Sequence, residues 1–263
     1  MPTRALSIAA LGMSAQQKMV DNIANNLANV NTTSFKKSDI AFQDLFYQNI
    51  ATSKRGSGGQ GEEGPQLQLG HGSKPVATVR NFSQGAMQET GGSTDLAING
   101  AGFFQVRKSD GSIAYTRDGN FSMNSEGRLI TQSGLTLADD IDIPEDTVGL
   151  SISQDGLVTA RLAGDQGQIE LGQIELAKFV NPGGLSAEGD NLYQETAQSG
   201  TPFYGTPGMD GFGSLQQGFL EQSNVEIVTE MVNLIQAQRA YETNSKMVQT
   251  AEDMMAMTNS IKR

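Results

Sequence analysis

The string Gly56-Ser57-Gly58-Gly59-Gln60-Gly61 fits the GxGxxG pattern of a dinucleotide-binding turn. That chemistry needs a strand before the turn and a helix after it, so that pyrophosphate meets the helix N-terminus. Here Lys54-Arg55 precede the string and Glu62-Glu63-Gly64-Pro65 follow it. Carboxylates beside phosphate oxygens repel them, and the composition reads instead as a flexible loop. Asp139, Asp140, Asp142, Glu145 and Asp146 suggest a calcium patch. They lack the Asp/Asn ladder, central Gly and closing Glu of an EF-hand loop, so a solvated acidic turn fits better. His71 is the only histidine, no GxSxG elbow occurs and there is no cysteine. A His metal cluster, a nucleophile elbow, a thiolate site and a disulfide are therefore not available to this chain. Met254, Met255 and Met257 read as a pliable helix contact rather than a ligand set. Paired carboxylates for hydrolysis meet only in a fold, and no pair stands out by spacing. No catalytic, cofactor or metal residues are expected, and no enzyme activity.

The bulk composition points the same way. The 263 residues carry 18 basic and 29 acidic side chains, a formal charge of −11. Residues 1–45 sum to +1 and residues 220–263 to −2, so the acid is concentrated in the middle. Nucleic-acid binding needs clustered Lys and Arg, and anionic membrane surfaces attract the same charges; neither partner is expected. No apolar run reaches the 18 residues of a membrane span, so no membrane insertion is expected. The first residues lack the apolar h-region and small-residue cleavage site of a secretory signal, so export without a cleaved signal peptide is expected.

The elements that remain are helical ends around a β middle. Leu6, Met13, Val20 and Leu27 recur every seven residues, with Ala9, Ile23 and Val30 three after members of that row. This predicts a helix with a heptad stripe. Gly12 and five Asn between 22 and 31 weaken it. Asn22, Asn25, Asn26 and Asn29 are expected together on a face away from the stripe, either solvated or as a second, polar contact. The helix should end near Asn31-Thr32-Thr33-Ser34, whose side chains compete for backbone hydrogen bonds. A second amphipathic piece is expected over 35–50. Residues 51–65 are Gly-rich and almost free of apolar side chains, which predicts a loop. Residues 66–219 show short apolar runs at 76–79, 96–98, 103–106, 114–116, 129–131, 150–152, 157–162 and 169–180. Asn99-Gly100, Asp110-Gly111, Asp118-Gly119, Glu126-Gly127 and Asp155-Gly156 punctuate them, as hairpins demand. Residues 181–213 read as loop-rich. Ser223-Asn224 offers an N-cap for a last helix, with Glu226 in its first turn. There Ile227, Leu234, Tyr241, Val248 and Met255 repeat every seven residues, widened by Met231, Ala237 and Ala251. A strict seven-residue row implies a left-handed supercoil and hence a helical partner.

The fold class expected is α+β. The N- and C-terminal helices pair as a coiled-coil-like stalk on a central, mostly antiparallel β domain. The expected segments are 1–50, 51–65, 66–219 and 220–263. Pattern leaves open whether the two stripes cover each other within one chain or also pack on further copies. A surface module binding glycan through residues 66–219, without need of the terminal stripes, is a competing reading.

Three groups of residues carry a family resemblance. Asn25-Asn26-Leu27-Ala28-Asn29-Val30-Asn31-Thr32-Thr33-Ser34-Phe35-Lys36 resembles the N-terminal signature of the bacterial flagellar rod and hook axial proteins. Ser223-Asn224-Val225, then Met231-Val232-Asn233-Leu234-Ile235-Gln236-Ala237-Gln238-Arg239-Ala240-Tyr241-Glu242, resembles their C-terminal signature. Asp95 to Val106 and Tyr115 to Phe121 resemble their β domain. Length, with Gln66 to Gly70 and Lys74 to Thr78, resembles the distal rod subunit, with a proximal rod or hook-type paralogue as the alternative. The resemblance implies a structural subunit of the distal rod, self-assembling into a straight, rigid helical tube that transmits motor torque to the hook. It implies a place in the basal body outside the cytoplasm. The partners implied are further copies, proximal rod and hook proteins, the rod cap, the flagellar type III export apparatus, and the P- and L-ring proteins as a bushing. The implied subunit contacts are Leu6, Met13, Val20, Ile23, Asn26, Leu27, Asn29 and Val30 at one end. At the other they are Ile227, Met231, Leu234, Tyr241, Val248 and Met255. The stretch holding Lys54, Arg55, Gly56, Gly64 and Pro65 corresponds in the family to one linked with a straight, stiff rod.

Overall fold

A computed structural model describes residues 2–51, 67–139, 141–163 and 167–261. The loop residues Lys54, Arg55, Gly56, Gly64 and Pro65, the GxGxxG string and Asp140 lie outside them. The protein is α+β: one long helix near each end of the chain, with antiparallel strands between. It divides into two compact units, both discontinuous in sequence.

The first unit gathers residues 1–27, 38–79 and 227–263. Helix α1 runs Pro2–Ala28, and helix α2 runs Ile227–Ile261. The Asn/Thr/Ser run after α1 does stop the helix. Thr32 and Phe35 close turns onto the carbonyls of Asn29 and Thr32, and Ser34 takes a left-handed φ of 55°. The helix expected over 35–50 is absent. The chain forms strands Ser38–Asp44 and Gln48–Ala51 instead, paired with Ser73–Arg80 and Leu67–Leu69. Asn22 and Asn26 on α1 explain the change, since both hydrogen-bond to Ser38 and hold the strand's first residue extended. The expected N-cap is also corrected. Helix α2 begins three residues after Asn224. The Asn224 side chain accepts from Lys37 N–H and donates to Asn81 O, all within the second unit.

The second unit gathers residues 28–37 and 80–226. Its largest sheet has seven antiparallel strands. Their spatial order is Ser186–Gly189, Leu192–Gln194, Ile113–Thr116, Phe104–Arg107, Thr136–Leu137, Leu129–Thr131, Phe121–Met123. A three-stranded sheet holds Thr147–Ile152, Leu157–Leu162 and Gln168–Gln173. Three two-stranded pairs complete it: Leu176–Lys178 with Phe203–Gly205, Ser214–Gln217 with Leu96–Asn99, and Phe219–Glu221 with Met87–Glu89.

Three of the five Xaa-Gly pairs make hairpins. Gly111, Gly127 and Gly156 adopt positive φ between strands that pair with each other, as the Cβ-free residue allows. Asn99-Gly100 and Asp118-Gly119 instead pass the chain to a strand elsewhere. Gly119 lies so close to Leu96 O that a Cβ would sit 1.5 Å from it. The apolar run 169–180 splits into two strands, and the stretch read as loop-rich holds three short ones.

The core of this unit is large and apolar. Leu96, Ile98, Phe104, Phe121, Leu129, Ile174, Leu176 and Leu215 are fully or almost fully buried in it. Beside it Phe103, Tyr115, Phe179 and Tyr193 form edge-to-face aromatic contacts with ring centroids 4.8–6.1 Å apart. Such pairs add to the burial of their area.

Candidate functional site

On α2 the buried positions are Glu230, Ala237 and Ala251, with half-buried Asn244 between. These repeat every seven residues, but on a row of small or polar side chains. The large apolar row flanks it. Leu234, Val248 and Met255 are half-buried, and Ile227, Met231 and Tyr241 are exposed. Val228, Val232, Ile235, Met247, Met254 and Met257 are exposed as well, Val228 to 70 %. So α2 turns small or polar residues inward and leaves its large apolar residues half-buried or exposed. Within the unit α1 meets that inner row closely: a Cβ on Gly12 would lie 2.9 Å from Asn244 Nδ2.

On α1, Ala9, Ala15, Ile23 and Asn26 are buried. Leu6, Met13, Val20, Leu27, Asn29 and Val30 are half-buried. The four Asn do not share one outward face. Asn26 is 1 % exposed. It donates to Ser38 O at 3.0 Å and accepts from Ser38 N–H at 3.0 Å. Asn22 donates to the same carbonyl and accepts from Ser38 Oγ, each at 2.6 Å. Their helix propensity is given up for an internal clamp that satisfies a strand's backbone groups. His71 rests with Nδ1 2.9 Å from Phe46 O and Nε2 3.4 Å from Arg4.

The second unit holds a cluster that pattern reading did not find. Lys36 and Glu221 have fully buried side chains, joined at 2.6 Å, and Arg117, 4 % exposed, reaches Glu221 at 2.9 Å. Every other polar atom there is satisfied. Gly85 N–H donates to Glu221 Oε1 at 2.8 Å, and Lys36 Nζ donates to Ser83 O at 2.7 Å. Arg117 donates to Gly102 O at 3.1 Å and Gly100 O at 3.0 Å, and lies over the Phe103 ring. Ser34, held left-handed, donates its N–H to Glu221 O and its hydroxyl to Arg117 O, each at 2.8 Å.

The charges in this cluster shape its titration. Burial alone would raise the Glu221 carboxyl, but Arg117 and Lys36 outweigh it and hold the group below the usual Glu range. Burial, helped by Arg117, lowers Lys36 despite Glu221. Nearby Asp118 goes the other way, raised by burial.

Lys36 and Arg117 sit inside the two motifs quoted above, and Glu221 lies two residues before the third. The only signal of their role was a charge ending an apolar strand, as in Phe219-Leu220-Glu221. Among the described residues, no group of three or more His, Cys, Asp or Glu is placed to hold a metal ion. No helix among them is long and apolar enough to cross a membrane.

Known protein families match both ends and the middle of the chain. Residues 6–36 match the flagella basal body rod protein family. Residues 97–160 match the flagellar hook protein FlgE/F/G D1 domain, and residues 216–261 the flagellar basal body rod FlgEFG protein C-terminal family. The three ion partners Lys36, Arg117 and Glu221 fall one in each matched segment.

The chain belongs to the flagellar basal-body rod and hook protein family. It is 48 % identical to the flagellar basal-body rod protein FlgG of Borreliella burgdorferi over 262 residues, 99 % of each chain. Against the FlgG of Caulobacter vibrioides it is 44 % identical, covering 98 % of this chain and 99 % of that one. Against the FlgF of the same organism it is 36 % identical over 93 % of each.

Proposed function

We propose that this chain is a FlgG-type subunit of the distal rod, which polymerises through its two terminal helices into a straight, stiff helical tube that carries torque to the hook. The observation that carries the reading is the outward row of large apolar residues on α2. Val228, Met231, Val232, Ile235 and Tyr241 leave more apolar surface in water than a scattered few would. Copies of the same chain are the partner that the family resemblance supplies, and an unclosed heterologous contact gives a filament. The higher identity to FlgG than to FlgF within one organism favours the distal over the proximal rod subunit.

In this reading Leu6, Met13, Val20, Leu27 and Val30 on α1, and Ile227, Met231, Leu234, Tyr241, Val248 and Met255 on α2, meet other subunits in coiled-coil-like packing. Residues 51–65, with Lys54, Arg55, Gly56, Gly64 and Pro65, set the straightness of the tube. Proximal rod and hook proteins cap its two ends, and the rod cap, the export apparatus and the ring proteins are transient or surrounding partners. The rod lies outside the cytoplasm, and no reaction is catalysed.

Electron microscopy of the purified chain beside Leu234→Asp tests the reading. A carboxylate buried in an apolar contact costs several kcal/mol, so the variant should give no tubes where the parent gives straight ones. Straight tubes from Leu234→Asp would remove this face from the interface.

A further inference from the structure

We propose that Lys36, Arg117 and Glu221 form a charge gate that keeps the β unit from closing until the C-terminal strand has arrived. The gate acts within one chain and does not depend on assembly. Its parts come from four segments that are remote in sequence: residues 34–37, 81–85, 98–117 and 221–224. They differ in charge. The three earlier segments bring two cations, Lys36 and Arg117, and backbone carbonyls to receive their N–H groups. Among the described residues, the only carboxylate bonded to either cation is Glu221, which comes last of the cluster in chain order.

A chain delivered N-terminus first therefore has residues 28–220 before it has Glu221. It cannot bury Lys36 and Arg117 at their native depth, because two like charges would lose their water with no counter-charge. Carbonyls of Ser83, Gly100 and Gly102 satisfy hydrogen bonds but not net charge. The surrounding core, with Ile98 and Phe103 against Arg117, stays open with them. When residues 219–221 pair with 87–89, the carboxylate reaches both cations and Gly85 N–H, and the Glu221 backbone carbonyl reaches Ser34 N–H, in one step. The strand and the charge arrive together, so neither can close the unit alone.

Pulse-labelled hydrogen exchange during refolding of the full chain tests the gate. In the parent, amides of strands 96–99, 104–107 and 113–116 should gain protection in the same kinetic phase as those of 219–221. In Glu221→Gln both cations remain without their anion, and core amides of this unit should exchange at least about 100-fold faster at equilibrium. The decisive variant is K36M/R117M/E221M, which loses every side-chain hydrogen bond of the three residues but carries no buried charge. It should recover most of the protection lost in Glu221→Gln, and its central strands should become protected before 219–221. Two results would overturn the proposal. One is parent central strands protected ahead of 219–221. The other is a triple variant less protected than Glu221→Gln, which would mean that the contacts, and not the uncompensated charge, carry the effect.

Discussion

The β unit and the helical unit differ in what they bury most deeply. In the β unit, Leu96, Phe104, Phe121 and Leu176 are buried to 2 % or less, and even a Lys, an Arg and a Glu are drawn in and fully paired. In the helical unit the buried positions of α2 are Ala237, Ala251 and Glu230, while Met231, Val232, Ile235 and Met247 face water. Hydrophobic burial drives both folding and association. The β unit buries a large apolar core and still leaves Val148, Val180, Phe203 and Met209 exposed, while the interior side of α2 takes small or polar residues.

The sharpest way to break the comparison is one substitution in each unit. Phe104→Ala removes a fully buried ring that stacks edge-on with Phe121 at 5.2 Å. It should cost about 3–5 kcal/mol of stability in the β unit, read by denaturant unfolding of the monomer. Met231→Asp changes a residue that is half in water in the single chain, and should alter monomer stability by less than about 0.5 kcal/mol. Yet Met231→Asp should abolish tubes. If it unfolds the monomer, or leaves tubes intact, the division between the two units fails.

A smaller effect tests a well-packed place in the helical unit. Asn26→Ala removes both hydrogen bonds from Asn26 to the Ser38 backbone, with only the Asn22 contacts left. An unsatisfied buried amide costs about 1–3 kcal/mol, so amides of strand 38–44 should exchange roughly 10- to 100-fold faster. The strands of the β unit should be unaffected. Equal loss in both units would mean that they unfold as one.

The same contrast explains what the sequence could disclose. Hairpins announced by Asp110-Gly111, Glu126-Gly127 and Asp155-Gly156 were legible because the turn demands a Cβ-free residue at a fixed place between apolar runs. Both long helices were legible from their seven-residue rows. The inward side of α2 was not. Periodicity gives the repeat of a helix but not which of two adjacent rows faces in, and the row of Glu230, Ala237, Asn244 and Ala251 has the same repeat as the large apolar one. Strand 38–44 was hidden because its cause lies on another element, in two Asn that local propensity scores only as poor helix formers. The Lys36–Glu221 pair spans 185 residues, so no window along the chain contains it.

The smallest expected effect separates two carboxyls of the β unit. Glu221 is held below its ordinary range by Arg117 and Lys36 after burial is overcome. The stability it contributes is present above its ordinary pKa of 4.5 and is lost as pH falls through the depressed folded value. Asp118 is raised, first by burial and further by Asp95, against the pull of Asn120 N–H and the Thr33 side chain. A raised carboxyl binds its proton more tightly in the folded state, so its contribution falls as pH rises from its ordinary 3.8 through the folded value, and stays lowered above it. Asp118→Asn keeps an oxygen to accept from Asn120 N–H, now 3.1 Å from Oδ1, and removes the charge. At pH 7 it should stabilise the β unit by at most about 1 kcal/mol, seen as a rise of roughly 2–4 °C in Tm. The gain should vanish as pH is lowered below the ordinary carboxyl range, where Asp118 is protonated in both states. Buried charge is tolerated in this unit where it is paired, as at Glu221, and costs stability where it is not. A destabilised Asp118→Asn at neutral pH would show that the Asp118 charge is used by a contact stronger than its burial cost.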